Sequence, residues 1–211
     1  MMAFPLASEP IPRSSELDPG VLERCQRGDP VAFRAFVVRF ERPVFALISR
    51  VLGRGPHVED LAQETFLKAF RALPRFDPAG SAALSTWLFT IASRTAIDAI
   101  RKRRVDERRF AEALQLDAGS PRTPEEETAR TRTRRAIQQA LADLPVDQRA
   151  AFVLFELYGM DLNEVGHALD VPAATAKTRV FRARRRLQAA LKSQHSDDGS
   201  RAKNESKETI G

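Results

Sequence analysis

The chain has 211 residues, 43% of them hydrophobic and 29% charged, with a formal net charge of +6 and a pI near 10.1. That balance excludes a wholly disordered chain, fits one or two small domains, and points to a polyanionic partner. The lone cysteine, Cys25, excludes an internal disulfide framework and a CxxC metal pair and favours a reducing cytoplasm; the N-terminus lacks a signal-peptide pattern, and no apolar run reaches the ~20 residues that a membrane span needs.

Apolar residues recur at helical spacing throughout, so the expected class is all-α. Residues 1–19 read as disordered. In "DPVAFRAFVVRFERPVFALISRVL", Asp29 is the expected N-cap and Pro30 the first helical residue. Phe33, Phe36, Val37, Phe40, Val44 and Ile48 form the inner face, and Pro43 is a candidate kink. "HVEDLAQETFLKAFRALP" is a second amphipathic helix, ended by Pro74. Val58, Ala62, Phe66, Ala69 and Leu73 share one face; Asp60, Gln63, Glu64 and Leu67 share the opposite one.

"RFDPAGSAAL" carries turn residues and reads as a loop. A third helix follows in "STWLFTIASRTAIDAIRKRR", with Ser85 a candidate N-cap and Leu88, Phe89, Ala92, Ala96 and Ile100 on its core face. Trp87, Ile91, Arg94, Asp98 and Arg101 lie away from that face. A tryptophan beside arginines suits stacking and phosphate contact with unpaired nucleic acid; the alternative is that Trp87 packs under the preceding loop. Residues 106–131 hold an acidic cluster and two prolines and read as a linker, with a short helix at 107–115.

Helical pattern resumes at 132. "RRAIQQALADLP" stops at Pro145, and "VDQRAAFVLFELYG" at Gly159, a suitable residue to follow a helix end. Asp161 with Glu164 forms a capping-box pattern. The order of short helix, "DVP" turn and second helix is that of a helix-turn-helix.

The last helix holds seven basic residues and no acidic one between 173 and 192. Ala176, Val180, Ala183 and Leu187 fall on its packing side. Lys177, Thr178, Phe181, Arg182 and Arg185 fall on the other, flanked by Arg179 and Arg186. A major groove offers guanine edges and thymine methyls to such a face, and phosphates to its flanks. The alternative is a solvated basic helix with Phe181 against a neighbour. The polar tail, 193–211, reads as disordered. The three histidines, His57, His167 and His195, are scattered, and no catalytic triad, cofactor motif or metal-ligand cluster stands out, so a binding protein rather than an enzyme is expected.

The segments "HVEDLAQETFLKAFRAL", "STWLFTIASRTAIDAIRKRR" and "LPVDQRAAFVLFELYGMDLNEVGHALDVPAATAKTRVFRARRRL" resemble bacterial RNA polymerase sigma factors of the extracytoplasmic-function group. The resemblance places a region 2-like domain at 20–105 and a region 4-like domain at 132–192. It implies two small helical domains on a flexible linker, with core RNA polymerase (β′ clamp and β flap) and promoter DNA as partners and an anti-sigma factor as inhibitor. By matching position, it assigns Asp60, Gln63, Glu64 and Leu67 to polymerase. It assigns Arg75, Phe76, Ser81, Trp87, Arg94 and Arg101 to the −10 element. Lys177, Thr178, Phe181 and Arg182 fall to the bases of the −35 element, with Arg179, Arg185 and Arg186 on its phosphates. Asp170 occupies a turn site that often holds glycine in the family, and Asp tolerates the left-handed conformation. The loop "DPAGSAAL" departs from the family's "RGESSF"-like pattern.

Two other readings compete. A stand-alone helix-turn-helix regulator would use the N-terminal half to sense a ligand. A DNA-cutting enzyme would need carboxylates near the basic helix, where residues 162–192 offer only Glu164 and Asp170.

Overall fold

Caps written into the sequence start the first helices. Asp18 accepts from the amides of Gly20 and Val21 at 2.9 and 3.2 Å and opens α1 (Pro19–Gln26). Asp29 does the same for Val31 and Ala32 at 2.8 and 3.2 Å, opening α2 (Pro30–Leu52). Each cap satisfies amides that the first helical turn leaves without a partner. The computed structural model describes residues 17–53, 55, 57–111 and 137–208, and every regular element among them is helical.

α2 runs through Pro43 without a break, and buries Phe36, Phe40, Val44, Leu47, Ile48 and Val51. Phe33 and Val37, expected inside, are only partly covered. α3 (His57–Ala72) buries Val58, Ala62, Phe66 and Ala69, the expected face. A 3₁₀ turn (Leu73–Arg75) carries Pro74. The side chain of Gln26 donates to the carbonyls of Leu73 and Phe76 at 3.3 and 2.6 Å, tying that turn to α1. α4 (Leu84–Ala111) starts one residue before the expected cap, and Ser85 is buried inside it rather than capping it.

α4 also overruns its expected end at 104, taking up the first residues of the expected linker and part of the expected short helix. "RKRRVDERRFA" has no glycine or proline, and arginine, lysine, glutamate and alanine all favour helix propagation. The remaining linker, 112–131, lies outside the described residues, as does the N-terminus before residue 17.

The second half begins with α5, described over residues 137–142. Next come α6 (Val146–Phe152), a π-helical turn (Val153–Leu157), α7 (Leu162–Leu169) and α8 (Ala173–Glu208). Gly159 has a φ of 64°, the left-handed geometry expected of it after a helix end. Where the sequence reads as a disordered tail from 193, the backbone of α8 is helical to Glu208, and residues 209–211 lie outside the described set. After Pro172 the sequence has no further proline, so nothing forbids a helix already nucleated from continuing.

The two halves meet. A single apolar core extends from Leu22 to Val180 and includes Phe89 of α4 and Tyr158 of the second half, whose rings contact edge-to-face at 4.6 Å. A smaller core holds Ile137, Leu141, Phe152, Ala183 and Leu187 together. Polar contacts line the junction. The Tyr158 hydroxyl donates to the Pro43 carbonyl at 2.8 Å and accepts from Arg50 at 3.2 Å. Arg149 donates to the carbonyl of Val51 at 2.9 Å, and to Ala142 and Leu144 at 2.6 and 2.9 Å. It thus serves the ends of α2 and α5 at once, where helix carbonyls lack partners of their own.

Candidate nucleic-acid and polymerase interfaces

The helix-turn-helix is built from three local devices. Asp161 accepts from the amides of Asn163 and Glu164 at 2.8 and 2.9 Å, while Glu164 accepts from the Asp161 amide at 2.7 Å, completing the capping box of α7. Asp170 then takes φ 54° and ψ 51°, the left-handed turn that aspartate tolerates. The third device is a close approach. A Cβ on Gly166 would lie 2.7 Å from the Val171 carbonyl oxygen and 3.2 Å from the Ala173 amide nitrogen. The turn therefore closes against bare backbone, and α8 leaves it at a fixed angle.

On α8, Ala176, Val180, Ala183 and Leu187 are all buried, as expected. Lys177, Thr178, Phe181, Arg182, Arg185 and Arg186 are exposed, and Phe181 keeps 58% of its surface in solvent. The ring therefore has no covering helix, and the alternative of Phe181 packed on a neighbour is not what the fold adopts. Arg179 is different. It lies half-buried with its guanidinium 3.5 Å from the Asp147 carboxylate on α6. Arg184, which sequence reasoning did not single out, pairs with Glu156 and lies 5.4 Å over the Phe155 ring. Two arginines of this basic helix thus hold it to its own domain.

The first half presents its candidate residues less evenly. Arg75, Ser81, Arg94 and Arg101 are exposed. Phe76 is buried, and Trp87, half-buried, rests against it with ring centroids 5.2 Å apart. Trp87 thus leans on Phe76 of the preceding loop while part of its surface stays open. Arg94 points away from the α4 core, as helical geometry predicts, but reaches α7. It donates to the carbonyls of Ala168 and His167 at 3.1 and 2.5 Å. Glu164 meets α4 as well, accepting from the Thr86 hydroxyl at 3.3 Å.

On α3, Asp60, Gln63, Glu64 and Leu67 are exposed together, with Leu67 at 57%. Glu64 pairs with Lys68 one turn on at 2.8 Å. Phe70, also exposed at 40%, extends this apolar-and-acidic surface and contacts Phe33 edge-to-face at 4.8 Å. Sequence reasoning missed Phe70; its place one turn from Leu67 was the available signal. Among the described residues, no group of three or more histidine, cysteine or carboxylate side chains could hold a metal, and no helix is long and apolar enough to cross a membrane.

Comparison with known proteins agrees with this arrangement. The family Sigma-70 region 2 matches residues 36–105, and Sigma-70, region 4, matches residues 134–187. The RNA polymerase sigma-H factor of Pseudomonas aeruginosa is 33% identical over 186 residues, covering 84% of this chain and 95% of its own. The ECF RNA polymerase sigma-E factor of Haemophilus influenzae is 34% identical, covering 81% and 93%. Among solved structures, the sigma factor RpoE of Bartonella quintana in complex with the anti-sigma factor NepR superposes with a TM-score of 0.60 at 25% identity, over 76% of this chain and 96% of that one. CnrH in complex with the cytosolic domain of CnrY gives 0.56 at 25% identity, over 82% and 96%. These matches span both halves in one order. The chain belongs to the extracytoplasmic-function group of RNA polymerase sigma factors and directs core polymerase to promoters.

Proposed function

We propose that the three exposed faces divide the work of promoter recognition. The α8 face of Lys177, Thr178, Phe181 and Arg182 reads the −35 bases, with Arg185 and Arg186 on flanking phosphates. The observation that carries this is Phe181: an aromatic ring left in solvent amid arginines, on a helix otherwise packed by its small residues. In helix-turn-helix docking, the N-terminal half of the second helix meets the base edges. Arg179, committed to Asp147, serves mainly to seat the helix.

The 75–81 loop and α4 take the −10 element. Arg75, Ser81, Arg94 and Arg101 supply polar and cationic contact. Trp87 supplies a partly open ring, and Phe76 supports it from beneath. The exposed face of Asp60, Gln63, Glu64 and Leu67 docks on the β′ clamp, and the second half sits by the β flap. The chain works by binding, in the cytoplasm, with no chemistry of its own. An anti-sigma factor inhibits it, as the partners named for the Bartonella quintana relative suggest.

The test is duplex binding across a salt series with the full chain. Arg182→Ala is expected to cost about 1–3 kcal/mol on the matched site and to relax preference at one position. Arg186→Ala weakens all sequences about equally and lowers the salt slope by roughly one. Phe181→Ala loses preference at an unchanged slope, because it removes no charge. If Arg182→Ala behaves like Arg186→Ala, the reading face is wrongly assigned.

A further inference from the structure

The closed junction between the halves occupies a residue that promoter opening needs. Arg94 stands on the outer face of α4, among the side chains proposed above for the −10 strand, yet its guanidinium is spent on the end of α7. The carbonyls of His167 and Ala168 belong to the last turn of that helix and carry the negative end of the helix dipole; that of His167 receives only a long backbone bond, from the Asp170 amide at 3.4 Å. A guanidinium is a natural cap for such an end.

For the guanidinium itself, a phosphate is a better partner than two carbonyls. It bears a full negative charge and can take two parallel N–H donors from a single guanidinium. It also has a way in. An open cleft of about 290 Å³ lies between α4 and α7, lined by Arg94, Asp98, Arg101, Ala168 and Asp170. Arg101 stands at this entrance within 4.0 Å of Asp98, both well exposed. While the junction is closed, Glu164 holds a carboxylate against Thr86, on the same helix that would meet the strand.

We propose that Arg94 is an exchange residue: it caps α7 while the two halves are closed and passes to a phosphate of the unpaired strand when they open. Capture of the strand and release of the helix-turn-helix half then draw on one guanidinium and oppose each other. By linkage, whatever loosens the junction strengthens strand binding, and strand binding opens the junction. This rests on the −10 reading of α4.

Tyr158→Phe gives the test a handle remote from both DNA faces, because it removes the bonds to the Pro43 carbonyl and from Arg50 and leaves the ring. The full chain is titrated with a labelled mixed-sequence single-stranded DNA of about a dozen nucleotides. Affinity is read by anisotropy and the radius of gyration by small-angle scattering. Each hydrogen bond lost shifts a two-state equilibrium by about fivefold, so Tyr158→Phe should bind the strand at least about fivefold more tightly and be more expanded. Arg94→Ala should also be expanded, but bind more weakly than wild type. In the double variant the gain from Tyr158→Phe should vanish.

A gain that persists without Arg94, or a wild-type radius unchanged at saturating oligonucleotide, overturns the exchange while leaving the −10 reading intact. Absence of strand binding in every variant, expanded ones included, sinks the −10 reading and the exchange with it. Should Tyr158→Phe fail to fold, Thr86→Val weakens the same junction from its other end and is read in the same way.

Discussion

Gly166→Ala puts the turn of the helix-turn-helix to the test. In an ordinary helix this change stabilises by about 1 kcal/mol, because alanine restricts the unfolded chain and favours the helix. Here the added methyl would lie 2.7 Å from the Val171 carbonyl oxygen and 3.2 Å from the Ala173 nitrogen. Both are backbone atoms, so no side chain can swing aside. The neighbouring backbone is itself tied down, since the Val171 amide donates to the Gly166 carbonyl at 2.9 Å. Overpacking costs about 1–3 kcal/mol, and a 2.7 Å contact with fixed backbone belongs in the upper half of that range, so after the propensity gain a net loss of about 1–2 kcal/mol remains. For a chain of this length each kcal/mol moves the Tm by about 2–4 °C, so a fall of about 2–8 °C is expected. Matched −35 duplex should also bind more weakly, because relief of the clash must shift the start of α8 against its packing face. Thermal unfolding and duplex titration of the full chain measure both. A Tm that rises, as for an unhindered glycine-to-alanine change, would refute the close-packed turn.

Two further outcomes follow from side chains at opposite extremes of burial. Asp60→Ala with Glu64→Ala should weaken binding to core polymerase while leaving stability within about 0.5 kcal/mol, since both residues are exposed and the Glu64–Lys68 pair is a surface one. Duplex binding should not change, and an unaltered affinity for core polymerase would remove the docking role. Burial pushes the Tyr158 phenol well above its ordinary range, with the charge and hydrogen bond of Arg50 pulling the other way. A raised folded-state pKa contributes stability that is complete below the unfolded value of about 10 and is lost as pH rises towards the folded one. Unfolding experiments from about pH 9 upward should therefore show wild type losing stability beyond pH 10, with Tyr158→Phe flatter in that window; parallel curves would remove the phenol from the account.

What the sequence made legible was local. Asp29, Pro30, Asp161 with Glu164, and Gly159 are cap residues whose partners lie within a turn, and each acts where its spacing placed it. The buried faces of α3 and α8 follow from the 3.6-residue period alone. The exposed face of α8 followed by subtraction. Ends were harder. α4 and α8 run on because nothing in "VDERRFA" or in the tail after Pro172 stops a helix, and composition suited to a linker is also suited to a solvated helix. Phe76 falls in a stretch that reads as a loop, yet the tie from Gln26 to the Leu73 and Phe76 carbonyls fixes that stretch against α1, and the buried Phe76 ring meets Trp87. That tie spans more than forty residues of chain and leaves no periodic trace.

The same blindness affects charge. A basic helix reads as a set of cations awaiting phosphate, but a guanidinium carries five donors and serves a helix end or a carboxylate equally well. On α8, Arg179 is directed at Asp147 and Arg184 at Glu156. Elsewhere Arg149 closes the ends of α2 and α5, and Arg94 closes that of α7. None of these partners is near in sequence except those of Arg149 at Ala142 and Leu144, so net charge counts them all as available. The excess of positive charge thus identifies the kind of partner, while the number of phosphates engaged is set by which arginines the fold has left uncommitted. Arg94 bonds across the junction, as Arg149 does at Val51, so separation of the halves would break those contacts, whereas Arg179 and Arg184 pair with carboxylates of their own half and would keep them.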